Sequence, residues 1–150
     1  MKRNISKDLV LQTCIAKQEE LVNNFVGRVN ELVADASTQR QSTSQSEDRT
    51  AGNVEVLETL QRELAFVQME MGVLKSINPE QVNNKVELGA IVVTNKRTFF
   101  IAVSVEKIEI EGQEIFGISM RAPIYSAMID LKKGDQFEFN GISYKIQDVY

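Results

Sequence analysis

Apolar residues recur at alternating intervals of three and four along two proline-free segments, Lys7 to about Ala36 and Val54 to Ile77. In the second, Leu57, Leu60, Leu64, Val67, Met71 and Leu74 form the seam of a heptad pattern. The first supplies Ile15, Val22, Phe25, Val29 and Leu32 on a matching stripe, interrupted by Gln18. Residues 37–53 between them are polar, rich in Ser, Thr and Gln. If two such helices pair antiparallel, one chain counts up while the other counts down, so facing residues have numbers with a constant total. Leu32 with Leu57, Val29 with Leu60, Phe25 with Leu64, Val22 with Val67, Gln18 with Met71 and Ile15 with Leu74 all total 89. The pattern predicts a helical hairpin with a polar tip and an apex near Ser44 and Gln45.

After Ile77-Asn78-Pro79 the periodicity changes. Residues 80–88 read as a polar linker, and then Gly89 to Val93 and Thr98 to Val103 read as strands around an Asn95-Lys96-Arg97 turn. Lys107 to Ile110 and Glu114 to Ser119 alternate around Glu111-Gly112-Gln113, a second hairpin. Gln136 to Phe139 and Ile142 to Ile146 flank Asn140-Gly141, whose residue types accept the positive φ angles of a tight hairpin turn. Ala122 to Ile129 reads as one short helix with Pro123 in its first turn. The expected domain is a twisted antiparallel sheet with one helix packed on it.

Composition narrows the chemistry. The chain has no histidine, which removes the commonest general base and metal ligand. Cys14, the single cysteine, falls among apolar helical positions and reads as a core residue. The net charge of −4 is spread over both halves, so no broad basic surface for nucleic-acid phosphates is expected. No apolar run approaches the roughly 20 residues of a membrane span, and a cytoplasmic location is expected.

The runs Gly89-Ala90-Ile91-Val92-Val93, Ile118 to Ile129 with Pro123-Ile124 followed by Ala127-Met128-Ile129, and Lys133-Gly134-Asp135 with its closing strand pair resemble the C-terminal domain of the GreA/GreB transcription-elongation factors. That bacterial family also carries an N-terminal helical hairpin. The resemblance implies an α+β chain, with an antiparallel coiled-coil hairpin over residues 1–79 and an FKBP-like antiparallel β domain with one helix over residues 80–150. It implies an accessory factor, not an enzyme, that binds RNA polymerase at its secondary channel and modulates elongation or transcript cleavage. Arg121, Ala122 and Pro123 fall where the family docks. Glu47 and Asp48 are the nearest counterparts of the family's tip acids, which help hold a Mg²⁺ in the polymerase site; hard cations take carboxylate oxygens. The chain is expected to hold no cofactor or metal of its own. The family's tip acids are spaced Asp-x-x-Glu where these two are adjacent, and its docking motif reads Asp-Ser-Pro where this chain has Arg121-Ala122-Pro123. Binding with little or no cleavage is the expected behaviour.

A reading from another class is a coiled-coil interaction or dimerisation module with no polymerase role. Leu9, Val10, Leu21, Val26 and Val33 lie off the main seam and would serve it. A monomer is the expected state.

Overall fold

The computed structural model describes residues 5–39 and 47–150, with side chains described outside 35–53. Two helices, α1 (Lys7–Gln39) and α2 (Glu47–Ser76), precede six strands and a short helix: β1 (Ile91–Thr94), β2 (Thr98–Ala102), β3 (Val105–Ile110), β4 (Gln113–Ser119), α3 (Pro123–Met128), β5 (Gln136–Phe139) and β6 (Ile142–Val149). Both long helices run further into the polar stretch 37–53 than the sequence pattern predicts, and the expected apex at Ser44 and Gln45 lies outside the described residues. Among the described residues no helix is long and apolar enough to cross a membrane.

The chain forms two compact units, one of Ala16–Gly72 and one of the residues up to Ile15 together with Val73–Tyr150. Within Ala16–Gly72 the seam is as its periodicity predicts. From Ala16 to Ala34 the residues withdrawn from solvent are Gln18, Val22, Phe25, Val29 and Leu32, and from Val54 to Met69 they are Leu57, Leu60, Leu64 and Val67. Gln18, only 4% exposed, donates from Nε2 to the Val67 carbonyl at 2.9 Å and more weakly to Glu70 Oε1 at 3.4 Å. Both acceptors lie within about one turn N-terminal to the expected partner, Met71. Burial raises the Glu70 carboxyl above its usual range, and the Gln18 amide partly opposes that.

In the other unit the sheet order is β3-β4-β2-β1-β6-β5. The expected all-antiparallel sheet is in fact mixed, because β2 and β4 pair in parallel, Thr98 opposite Ile115 through Ala102 opposite Ser119. The reason lies at Gly117. The chain leaving β2 reaches the outer side of β4 through Val103 and Ser104. A Cβ on Gly117 would stand 2.6 Å from the Val103 carbonyl oxygen and 2.8 Å from Val105 Cβ. Only glycine admits this crossing. The β5–β6 hairpin turns as predicted, with Asn140 and Gly141 both at positive φ.

Strand β2 is buried along its whole length because both sheet faces are covered. On one face Val10, Leu11, Cys14, Leu74 and Ile77 pack with Ile91, Phe100 and Ile115. On the other, Val86, Tyr125 and Met128 pack with Val92, Phe99, Ile101 and Ile146. The first of these layers explains why the compact unit does not begin at residue 80: Val10, Leu11 and Cys14 near the start of α1, and Leu74 and Ile77 at the end of α2, belong to the core of the β unit. Fully burying each such side chain contributes about 1.5–3 kcal/mol.

Residues 80–88 are not a free linker. Val86 is fully buried, its N–H donates to the Leu131 carbonyl at 2.8 Å, and its own carbonyl accepts from Asp130 N–H at 3.0 Å. Lys7 fastens the segment just before it, donating to Gln81 O at 2.7 Å and Asn83 Oδ1 at 2.6 Å. Ile5, just before α1, is also tied in, since Tyr150 Oη accepts from Ile5 N–H at 2.8 Å.

Candidate functional site

The candidate docking residues Arg121, Ala122 and Pro123 lie at the start of α3, and the structure builds a fixed corner there. A residue before proline avoids the helical region, and Ala122 is accordingly extended, with φ −68° and ψ 138°. Pro123 then opens the helix, where its missing N–H costs nothing. Ser119 folds the approach by accepting Arg121 N–H on its hydroxyl at 3.1 Å and Ala122 N–H on its carbonyl at 3.0 Å. The far side of α3 is anchored by Tyr125 and Met128 in the core. Burial first, then the nearby Asp130 and Glu87 carboxylates, raise the Tyr125 phenol above its ordinary value, so it stays neutral.

This corner presents Met120, Arg121 and Pro123 to solvent, whereas Ala122 is half-buried against the sheet. Two of the three predicted docking residues therefore share an exposed surface, and the third serves the fold. Arg121 has no carboxylate partner among the described residues. A guanidinium left in water on a rigid turn can form paired hydrogen bonds with a carboxylate or phosphate.

Glu47 and Asp48 open α2, and their side chains lie outside the described residues. Among the described residues no cluster of three acidic or cysteine side chains is placed to hold a metal ion.

A second feature lies away from the predicted site residues. The β1–β2 turn and strand β4 border an open cleft of about 450 Å³, lined by Thr94 to Thr98 and by Gln113, Glu114 and Phe116. The Arg97 guanidinium carbon sits 4.9 Å from the centre of the Phe116 ring. The signal in the sequence was the Lys96-Arg97 pair on a tight turn; its aromatic partner is distant in sequence and becomes a neighbour only through the parallel β2–β4 pairing.

No family model matches the sequence, and no curated protein matches it in sequence. Two solved structures align with nearly the whole chain. One is the crystal structure of GreA factor homolog 1 (Gfh1) of Thermus thermophilus, with TM-score 0.34 and 12% identity over 91% of this chain and 94% of that one. The other is a structure described as the transcription factor Gfh1, with TM-score 0.34 and 13% identity over 100% of this chain and 99% of that one. At that level of superposition neither carries a functional argument.

The motif residues have structural duties. Ile124 and Ala127 pack against the second core cluster and Met128 is inside it. Gly134 has φ +94°, and the Asp135 carboxylate accepts Lys132 N–H at 2.8 Å.

Proposed function

We propose that this chain is an accessory factor of bacterial RNA polymerase, docking through the Arg121–Pro123 corner at the secondary channel and modulating elongation there. The observation that supports this reading is the corner itself: an exposed Arg121 and Pro123, held by Ser119 and anchored by α3, in the segment whose sequence resembles the polymerase-docking part of the Gre factors. The chain supplies no catalytic group of its own in this reading. Any transcript cleavage belongs to the polymerase, with Glu47 and Asp48 adding carboxylate oxygens to a Mg²⁺ shared with its active site.

The test is binding of the full chain to core RNA polymerase, compared with Arg121→Glu and Pro123→Ala. The full chain is needed because a fragment starting at residue 80 would uncover Ile91, Phe100 and Ile115. Arg121→Glu should weaken the complex at least tenfold with unfolding unchanged; equal binding by both variants would refute the docking assignment. Added to a backtracked elongation complex, the protein should bind while releasing few short 3′ fragments, because adjacent carboxylates are poorly pre-organised for two-point metal coordination. Strong release that persists in Glu47→Ala/Asp48→Ala would remove the acids from the mechanism.

One observation favours the alternative of a self-association module. Leu9, Leu21, Val26 and Val33 on α1, and Phe66 and Met69 on α2, are exposed, whereas Val10 is consumed by the core. Light scattering at micromolar concentration should give the monomer mass of 16.9 kDa under the polymerase reading.

A further inference from the structure

We propose that the cleft between the β1–β2 turn and β4 is a docking site for an acidic segment of a protein partner, with Arg97 taking one carboxylate in its guanidinium fork and Lys96 taking a second. This inference is independent of the polymerase reading and concerns a different surface from the Arg121 corner.

The charge arrangement comes first. Lys96 and Arg97 are both exposed and have no carboxylate partner among the described residues. Glu114, the acid that lines the cleft, is paired with Lys107 at 2.9 Å. The cleft therefore presents two uncompensated cations beside a neutralised pair, on a chain whose net charge is −4. The net negative charge opposes long-range attraction of an acidic partner, so selectivity must come from contact geometry.

Arg97 supplies that geometry. Its guanidinium is held over Phe116 at 4.9 Å, a cation–π contact that restrains the side chain. A restrained guanidinium loses less entropy when its parallel N–H groups engage a carboxylate in two bonds.

The turn also disfavours phosphate. Phosphate cradles use several free backbone N–H groups, and here they are taken. Lys96 and Arg97 N–H both donate to Thr94 Oγ1, at 3.2 and 2.9 Å. Thr94 N–H donates to the Arg97 carbonyl and Asn95 N–H to the Lys145 carbonyl, each at 3.0 Å. What remains is a set of side-chain donors suited to planar carboxylates. A cleft walled by exposed Asn95, Lys96, Arg97 and Glu114 is open, which suits an extended peptide more than an enclosed small molecule.

The experiment titrates the ¹⁵N-labelled full chain with an acetylated (Asp-Gly)₄ peptide. An (Ser-Gly)₄ peptide and sodium phosphate serve as comparison probes, followed by amide and Arg Nε–H resonances. The expected result is that the acidic peptide shifts Asn95–Thr98 and Gln113–Phe116 and the Arg97 Nε–H signal. Arg97→Gln should weaken binding at least fivefold and Lys96→Gln at least twofold, with the remaining resonances in place to show an intact fold. Arg97→Lys, which keeps the charge and loses the fork, should recover less than half of the Arg97→Gln loss. The proposal is overturned if the acidic peptide shifts none of these residues or if (Ser-Gly)₄ shifts them equally. It also fails if phosphate shifts them at lower concentration than the peptide, or if Arg97→Lys binds like the unsubstituted chain.

Discussion

Replacing Lys7 by methionine tests the part of the fold least expected from sequence, the fastening of residues 81–87 to the start of α1. Lys7 is 7% exposed, and its ammonium donates to Gln81 O at 2.7 Å and Asn83 Oδ1 at 2.6 Å. Methionine keeps most of the stem and removes both bonds. Each hydrogen bond from a charged donor contributes about 1.5–3 kcal/mol, and a buried acceptor left alone costs about 1–3 kcal/mol. The Gln81 residue is exposed and its carbonyl can turn to water, so the uncompensated loss falls on the buried Asn83. Relief from desolvating an ammonium offsets part of it, leaving a net cost of about 2 kcal/mol, or about thirtyfold in an opening equilibrium. Native-state hydrogen exchange at Val86 and Asp130, whose amides bond across the strap, should register that fall in protection. Asn83→Ala should show about 1–2 kcal/mol of coupling to Lys7→Met in a double-mutant cycle. Unchanged exchange at both amides, or strictly additive effects, would refute the fastening. The pH dependence adds an independent check. Burial lowers the Lys7 pKa below 10.5, against a smaller opposing pull from Glu87. The folded chain then releases this proton before the unfolded chain does, so stability gains from Lys7 as pH rises from its depressed folded value toward 10.5. Tyr150 acts oppositely above pH 10, its phenol being raised chiefly by burial, so the comparison that matters is between the two profiles: Lys7→Met should lack the alkaline gain.

Cysteines introduced as Val29→Cys with Leu60→Cys, in a Cys14→Ala background, should crosslink rapidly, whereas Val29→Cys with Val67→Cys should not; the reverse outcome would reject the register. Gly117→Ala should destabilise by about 2–4 kcal/mol in urea unfolding, because the atoms its Cβ would strike include Val103 O and Val105 N, which belong to the backbone. Gly72→Ala should instead stabilise by about 0.5–1 kcal/mol, since that helical glycine has no atom within 4 Å of an added Cβ. Phe25→Ala should cost about 1–2 kcal/mol, below the roughly 3–5 of a fully buried ring, because Phe25 is half-exposed with Arg28 6.0 Å from its centre.

The helical unit was readable because its seam obeys a local rule: each residue from Val22 to Leu32 and from Leu57 to Val67 that leaves solvent does so at its heptad position. The three hairpins were equally readable, since turn chemistry is local, as Asn140 and Gly141 show. What escaped was decided by distant parts of the chain. The parallel pairing of β2 and β4 depends on a crossing of two residues at Gly117, and a lone glycine in a strand pattern does not announce what passes over it. The strap at Val86 looked like a linker because Val82, Val86 and Leu88, scattered among Gln, Asn, Lys and Glu, are too few to set a strand or helix period. Lys7 looked like a surface cation because its partners lie more than 70 residues away.

The same distinction governs how much function the chain discloses. In the segment that resembles the Gre factors, Ile124, Ala127 and Met128 pack α3 onto the sheet, Gly134 supplies a positive φ, and Asp135 caps a turn. Any chain that builds this helix and return would favour such residues, so their agreement with a family speaks first of architecture. Arg121 is a charged residue of that segment whose side chain has no structural duty, exposed and unpaired among the described residues. There the chain carries the charge opposite to the family's aspartate. A docking surface that kept its shape and inverted this charge would need an acidic contact on its partner where the family's partner offers a basic one. Arg121→Asp therefore discriminates: it should weaken binding as Arg121→Glu does, the result expected where the rim has changed in step with this chain, whereas stronger binding would mean that the polymerase retains the family's basic contact and would refute an acidic partner for Arg121.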